Sequence, residues 1–139
     1  MNVSATFAMI KPHAVEASQI GEIICMIEKA GFKVVELMLT DVDYDTAAEF
    51  YEIHKKKPFY DQLCKGLSSG PVVVMVLEHK GDDAVALFRT VLGDTDPSKA
   101  KPNTIRAKFG KSIDLNAVHG SDSDDNAAIE TDFFFGFVE

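Results

Sequence analysis

His119 stands in the run Asn116-Ala117-Val118-His119-Gly120-Ser121-Asp122, a tight, glycine-flanked loop of small and polar side chains. An imidazole placed there can reach a ligand, and Gly120 leaves room for backbone to come close to that ligand. Glu130 follows eleven positions later. A carboxylate on one imidazole nitrogen would fix the tautomer and free the other nitrogen to attack an electrophile. A histidine in a polar loop is more often a solvated surface residue, so this segment alone leaves both readings open.

The other candidates are three cations and one aromatic ring. Lys11 ends Met9-Ile10-Lys11-Pro12, where the proline fixes the chain direction and would aim the ammonium at one place. Arg89 and Arg106 sit on different predicted segments. Their forked donors suit phosphate oxygens, and two of them can grip adjacent phosphates. Phe59 follows Lys57-Pro58 and offers a face on which any nucleobase can stack. Each has an ordinary alternative: a solvated strand end, a decorated helix or loop, or one core phenylalanine among ten.

The 139 residues suit one domain, read here as 1–139. An apolar fraction of 46% and a charged fraction of 26% are those of a globular protein. The longest apolar run, 72–77, is far short of a membrane span. No basic-then-apolar leader opens the chain, and Cys25 and Cys64 form no C-x-x-C; a cytoplasmic protein with reduced thiols is predicted. A net charge of −8 argues against a scaffold that neutralises a nucleic-acid backbone, though not against a pocket for one nucleotide. Gly110-Lys111-Ser112 looks like the end of a P-loop, but Ile105 stands where the earlier glycine is required. No Cys/His spacing suggests zinc, and Asp122, Asp124 and Asp125 read as a solvated helix start.

These residues need elements to hold them. Residues 5–10 read as a buried strand. Ser18 is placed to cap a helix whose face is Ile20, Ile23, Ile24 and Ile27, and Gly31 stops it. A strand follows over 32–41. Thr46 and Glu49 form a capping box for a helix to about residue 55, and a short helix is expected over 59–66. Residues 71–77 read as a buried strand, 82–92 as a helix and 133–138 as the last strand. Without the extra short helices the order is βαββαβ: an α+β, ferredoxin-like antiparallel sheet with helices on one face.

Across about residues 4–136 the chain resembles the nucleoside diphosphate kinase family. The His119 segment is similar to the family's Asn-x-x-His-Gly-Ser-Asp, and Ile10-Lys11-Pro12 to its Ile-Lys-Pro-Asp, with His13 where aspartate is usual. That change is expected to alter local structure and not the chemistry. The segment from Arg89 through Gly93 and Thr95 to Pro97, the Thr104-Ile105-Arg106 triplet and Lys57-Pro58-Phe59 match further family patterns in order.

The resemblance implies an added helical hairpin between the second and third strands. It implies ping-pong transfer of a γ-phosphoryl from a nucleoside triphosphate to a diphosphate through His119, maintaining nucleotide pools with low base specificity. Glu130 would hold the imidazole, with Ser121 between them or near by, and Ser121 and Tyr51 would lie close to the phosphohistidine. Lys11 would meet ribose and phosphate, Arg89, Arg106 and Thr95 the phosphates, and Asn116 the sugar 3′-hydroxyl. Phe59 would stack on the base, with Leu63 and Ile113 near by. Mg2+ would be held mainly by the nucleotide, with no protein ligand set. A homo-oligomer, tetramer or hexamer, is implied, with no membrane or nucleic-acid partner.

His54 and His79 have no evident partner and read as structural or surface residues. Two other classes compete: a non-catalytic nucleotide-binding module on the same fold, and an RNA-recognition module. The second requires a basic sheet face with aromatic signatures, which this acidic chain lacks.

Overall fold

The computed structural model describes residues 2–136. Along the chain run β1 (Val3–Ile10), α1 (Pro12–Glu16), α2 (Ile20–Lys29), β2 (Lys33–Thr40), α3 (Tyr44–Phe50), α4 (Tyr60–Leu67), β3 (Val72–Lys80), α5 (Ala84–Leu92), α6 (Ile105–Phe109), β4 (Val118–Gly120) and α7 (Asp124–Phe135). The sheet order is β2-β3-β1-β4, and every neighbouring pair is antiparallel. This is the ferredoxin-like α+β arrangement, with α3 and α4 as the added hairpin.

The continuous apolar runs of β1 and β3 have a direct cause: the sheet is covered on both faces. Alternate side chains enter two cores. Ala8, Ile10, Val73, Met75 and Leu77 pack with Ile23 and Ile27 of α2 and with Phe88 and Leu92 of α5. Phe7, Met9, Val72 and Val74 pack with Ala47 of α3, Tyr51, and Cys64 and Leu67 of α4. The α3–α4 hairpin and the end of α7 thus close the second face, where Phe134 stacks on Phe7 at 5.5 Å between ring centroids.

The C-terminal expectation is corrected. Phe133 to Phe135 end a helix, not a strand; residues 137–139 lie outside the described residues. Ser123 accepts from the Asn126 N–H through its side chain, and Asp124 and Asp125 occupy the first turn, where acids favour a helix. Twelve residues of helix follow, long enough to bring Phe133 and Phe134 against Phe50 at 5.6 and 5.4 Å. Among the described residues the last strand is the three-residue β4, which contains His119.

Two caps also differ. Ser18 has a left-handed φ of 61° and makes no cap; Gln19 takes the N-cap position of α2. Asp43, not Thr46, caps α3, accepting from the Thr46 N–H at 2.8 Å, and α3 stops at Phe50. A 3-10 turn at Glu52–His54 carries the chain onward.

Candidate active site

β4 is placed by its pairing with β1, which sets Val118 opposite Ile10, His119 opposite Met9 and Gly120 opposite Ala8. Opposed residues share a sheet face. His119 therefore lies on the side of Met9 and Phe7, with its ring 6.2 Å from Phe7 and 5.5 Å from Phe50. Gly120 falls on the α5 side. A Cβ there would stand 2.7 Å from Leu92 Cδ1 and 3.0 Å from the Phe88 ring. The space that the missing Cβ leaves is thus filled by α5, while Gly120 itself lines the cleft that His119 faces.

Glu130 reaches back from the second turn of α7. Its Oε1 lies 2.8 Å from His119 Nε2 and accepts from Ser121 Oγ at 2.6 Å. Ser121 is buried and braces Glu130; it does not stand between the two partners. With Nε2–H donating to the carboxylate, Nδ1 is the ring nitrogen left with a free lone pair.

His119 and Glu130 line a cleft of about 530 Å³. Its basic end is built from Lys11, Arg89 and Arg106. Lys11 follows β1 and donates through Nζ to the buried Asn116 Oδ1 at 2.8 Å, joining the end of β1 to the loop before β4. Burial, reinforced by Arg106 and opposed by Asp114, brings the Lys11 pKa down to about 8. Arg106, on α6, is itself buried. It donates through Nη1 to Gly93 O at 3.1 Å and through Nη2 to Val118 O at 2.9 Å, tying the exit of α5 to β4. Its Nε is buried with no partner, and the fork keeps further donors for an anion. Burial, then the neighbouring Arg89, lowers its pKa to about 10. Arg89 comes from the last turn of α5 and Thr95 from the loop beyond, both exposed on the same cleft. Cations crowded by burial and by each other form a site that an anion relieves.

The other end is apolar. Phe59, Leu63 and Ile113 line it, and Phe59 is 44% exposed, which removes the alternative of a core phenylalanine. Tyr51 also lines the cleft; burial, then Glu130, raises its phenol pKa, so it stays a protonated donor.

Of the residues singled out from sequence, Lys11, Tyr51, Phe59, Leu63, Arg89, Thr95, Arg106, Ile113, Asn116, His119 and Glu130 all line this cleft; Ser121 is set behind it. His54 was missed. It lines the cleft between Tyr51 and Phe59, with ring centroids 6.1 and 6.2 Å away, and its buried Nδ1 has no partner. Its sequence position between those two was the available signal. His79 instead packs on Phe32 at 4.8 Å, on the opposite core. The two central strands that the RNA-recognition alternative would use, β1 and β3, are covered on both faces.

No group of three or more His, Cys, Asp or Glu among the described residues could hold a metal ion.

Comparison with known proteins agrees with this geometry. The family model described as nucleoside diphosphate kinase matches residues 4–139. A nucleoside diphosphate kinase from Chlamydia abortus is 50% identical over 134 residues, covering 96% of this chain and 94% of its own. One from Flavobacterium psychrophilum is 50% identical over 135 residues, covering 97% and 96%. Among solved structures, the Aquifex aeolicus nucleoside diphosphate kinase superposes with a TM-score of 0.91 at 39% identity, covering 96% of each chain. The Encephalitozoon cuniculi enzyme gives 0.89 at 32% identity, covering 96% of this chain and 89% of its own. With a match over nearly its whole length and a histidine–carboxylate pair facing a cationic cleft, this chain belongs to the nucleoside diphosphate kinase family.

Proposed function

We propose that His119 carries the phosphoryl group in the nucleoside diphosphate kinase reaction of this chain, and that one cleft serves donor and acceptor in turn. Nδ1 of neutral His119 attacks the γ-phosphorus of a bound triphosphate. The P–O bond to the β-phosphate breaks, and the leaving diphosphate keeps its electron pair. A second diphosphate enters, its β-phosphate oxygen attacks the phosphohistidine, and the P–N electron pair returns to Nδ1. Shared use of one site gives ping-pong kinetics.

The carrying observation is the 2.8 Å contact from His119 Nε2 to Glu130, which fixes the tautomer and stabilises charge developing on the ring. Lys11, Arg89 and Arg106 counter phosphate charge, and positioning with charge neutralisation is most of what phosphoryl transfer requires. Thr95 donates to phosphate, Tyr51 donates near the phosphohistidine, and Ser121 holds Glu130. Lys11 and Asn116 meet the sugar. Phe59, Leu63 and Ile113 take the base by contact with its face, which gives low base specificity. Mg2+ borne by the nucleotide supplies further neutralisation of phosphate oxygens.

Initial rates with varied ATP at several fixed GDP concentrations should give parallel double-reciprocal lines, and His119→Ala should lose turnover. Intersecting lines, or substantial activity in His119→Ala, would contradict the assignment.

We also read residues 1–139 as one domain of a cytoplasmic homo-oligomer, tetramer or hexamer. Exposed Leu37 and Leu39 on the edge strand β2 support assembly, and two free cysteines suit a reducing compartment. Light scattering on the purified protein tests the mass. No helix among the described residues is long and apolar enough to cross a membrane.

A further inference from the structure

Ala117, two residues before His119, has a φ of 75°. The Val118 N–H donates to Asn116 O at 2.9 Å, so Ala117 is the centre of a γ-turn of the rare, strained hand. Such a turn persists only where its surroundings hold it. Ala117 is fully buried, and the corner entering α1 holds it at both backbone groups. The Lys11 N–H donates to Ala117 O at 2.9 Å, and the Ala117 N–H donates to His13 Nε2 at 2.9 Å. Lys11 Nζ adds the bond to Asn116. Because Ala117 presents an N–H, His13 must accept, and a neutral ring then carries its proton on Nδ1. A doubly protonated ring has no lone pair, and N–H would face N–H.

We infer that His13 is a positioning residue of this enzyme: its neutral, accepting form holds the Asn116–Ala117–Val118 turn, and through it His119, in place for attack. Protonation of His13 releases the turn and lowers phosphoryl transfer. The inference rests on His119 as the phosphoryl carrier.

The surroundings of His13 support a neutral ring. Its Nδ1 is buried with no partner. Lys11 precedes it, Lys111 approaches from the loop after α6, and Lys65 of α4 and Asp114 line the adjoining cavity of about 450 Å³. Burial, then Lys11, then Lys111 hold its pKa below the ordinary 6.5. The support for catalysis is therefore complete at neutral pH and is lost as pH falls through that lowered value. Loss of the His13 contact therefore adds to the acid side of the wild-type profile.

The test compares wild type, His13→Gln and His13→Phe by kcat and KM from about pH 5 to pH 8.5. Glutamine Oε1 reaches roughly as far as Nε2 and accepts without titrating. His13→Phe should lower kcat about tenfold at neutral pH and above, more than it raises KM, and the difference from wild type should close as pH falls. His13→Gln should recover most of that loss, with an acid limb shallower than the wild type's. Wild-type kcat in His13→Phe, or a His13→Gln acid limb that coincides with the wild type's, would overturn the inference. If His13→Phe does not fold, the glutamine profile decides alone. Labelling of wild-type His119 by γ-labelled ATP is measured alongside; no label would overturn the His119 assignment itself, and the role of His13 with it.

Discussion

Replacing Glu130 with glutamine keeps the shape of the side chain and removes its charge. Oε1 of Glu130 takes two bonds, from His119 Nε2 at 2.8 Å and Ser121 Oγ at 2.6 Å. The His119 and Glu130 side chains are only 22% and 13% exposed, so solvent screens the pair weakly. A charge-assisted hydrogen bond in such a place contributes about 1.5–3 kcal/mol. Phosphorylation moves positive charge onto the ring, so this contribution falls mostly on the transition state and lowers the rate about 10- to 150-fold. A second effect has the same sign. If the glutamine turns its NH2 toward His119, Nε2 must accept, the ring proton moves to Nδ1 and the nucleophile is blocked. Rapid-quench measurement of phosphohistidine formation in a single turnover, with nucleotide affinity measured separately, isolates the step. A Glu130→Gln enzyme phosphorylated within about twofold of the wild-type rate would refute the reasoning.

Lys11 should set an alkaline limb. Its pKa of about 8 means that it is cationic below that pH and neutral above, so kcat/KM should fall about tenfold per unit once pH passes well beyond it. A flat profile to about pH 10 would contradict this. Phe59→Ala should raise KM for ATP, GTP and CTP together, by about 5- to 150-fold for a lost stacking contact of about 1–3 kcal/mol; a loss confined to one base would contradict stacking. Gly120→Ala forces a Cβ to within 2.7 Å of Leu92 and should destabilise the fold by about 1–3 kcal/mol, seen as a lower melting temperature. An unchanged melting temperature would show that α5 gives way there.

Legibility from sequence followed the range of the interactions involved. The buried runs of β1 and β3 and the isoleucine face of α2 announce themselves locally, because apolar patterning at a fixed period needs no partner to be recognised. β4 does not. It has three residues and no period, and it is a strand only because β1, more than a hundred positions earlier, offers it an edge. The aromatic end of α7 reads as a strand by composition, but a capped N-terminus twelve residues back and contacts with Phe7 and Phe50 make it helix. Site residues were legible where chemistry and motif order agreed, as with His119, Arg106 and Phe59. His13 and His54 were not, since one is defined by a bond to a backbone amide 104 positions away and the other by the cleft it lines. Gly120 carries a second constraint that its neighbours in sequence do not show, because the helix that fills the space beside it comes from another part of the chain.

Incubation of the purified protein with γ-labelled ATP and no acceptor tests the phosphoryl carrier most directly. The label should be acid-labile, should map to Nδ1 of His119, and should leave on addition of either GDP or CDP. A label on another residue, or none while ATP still binds, would contradict transfer through His119.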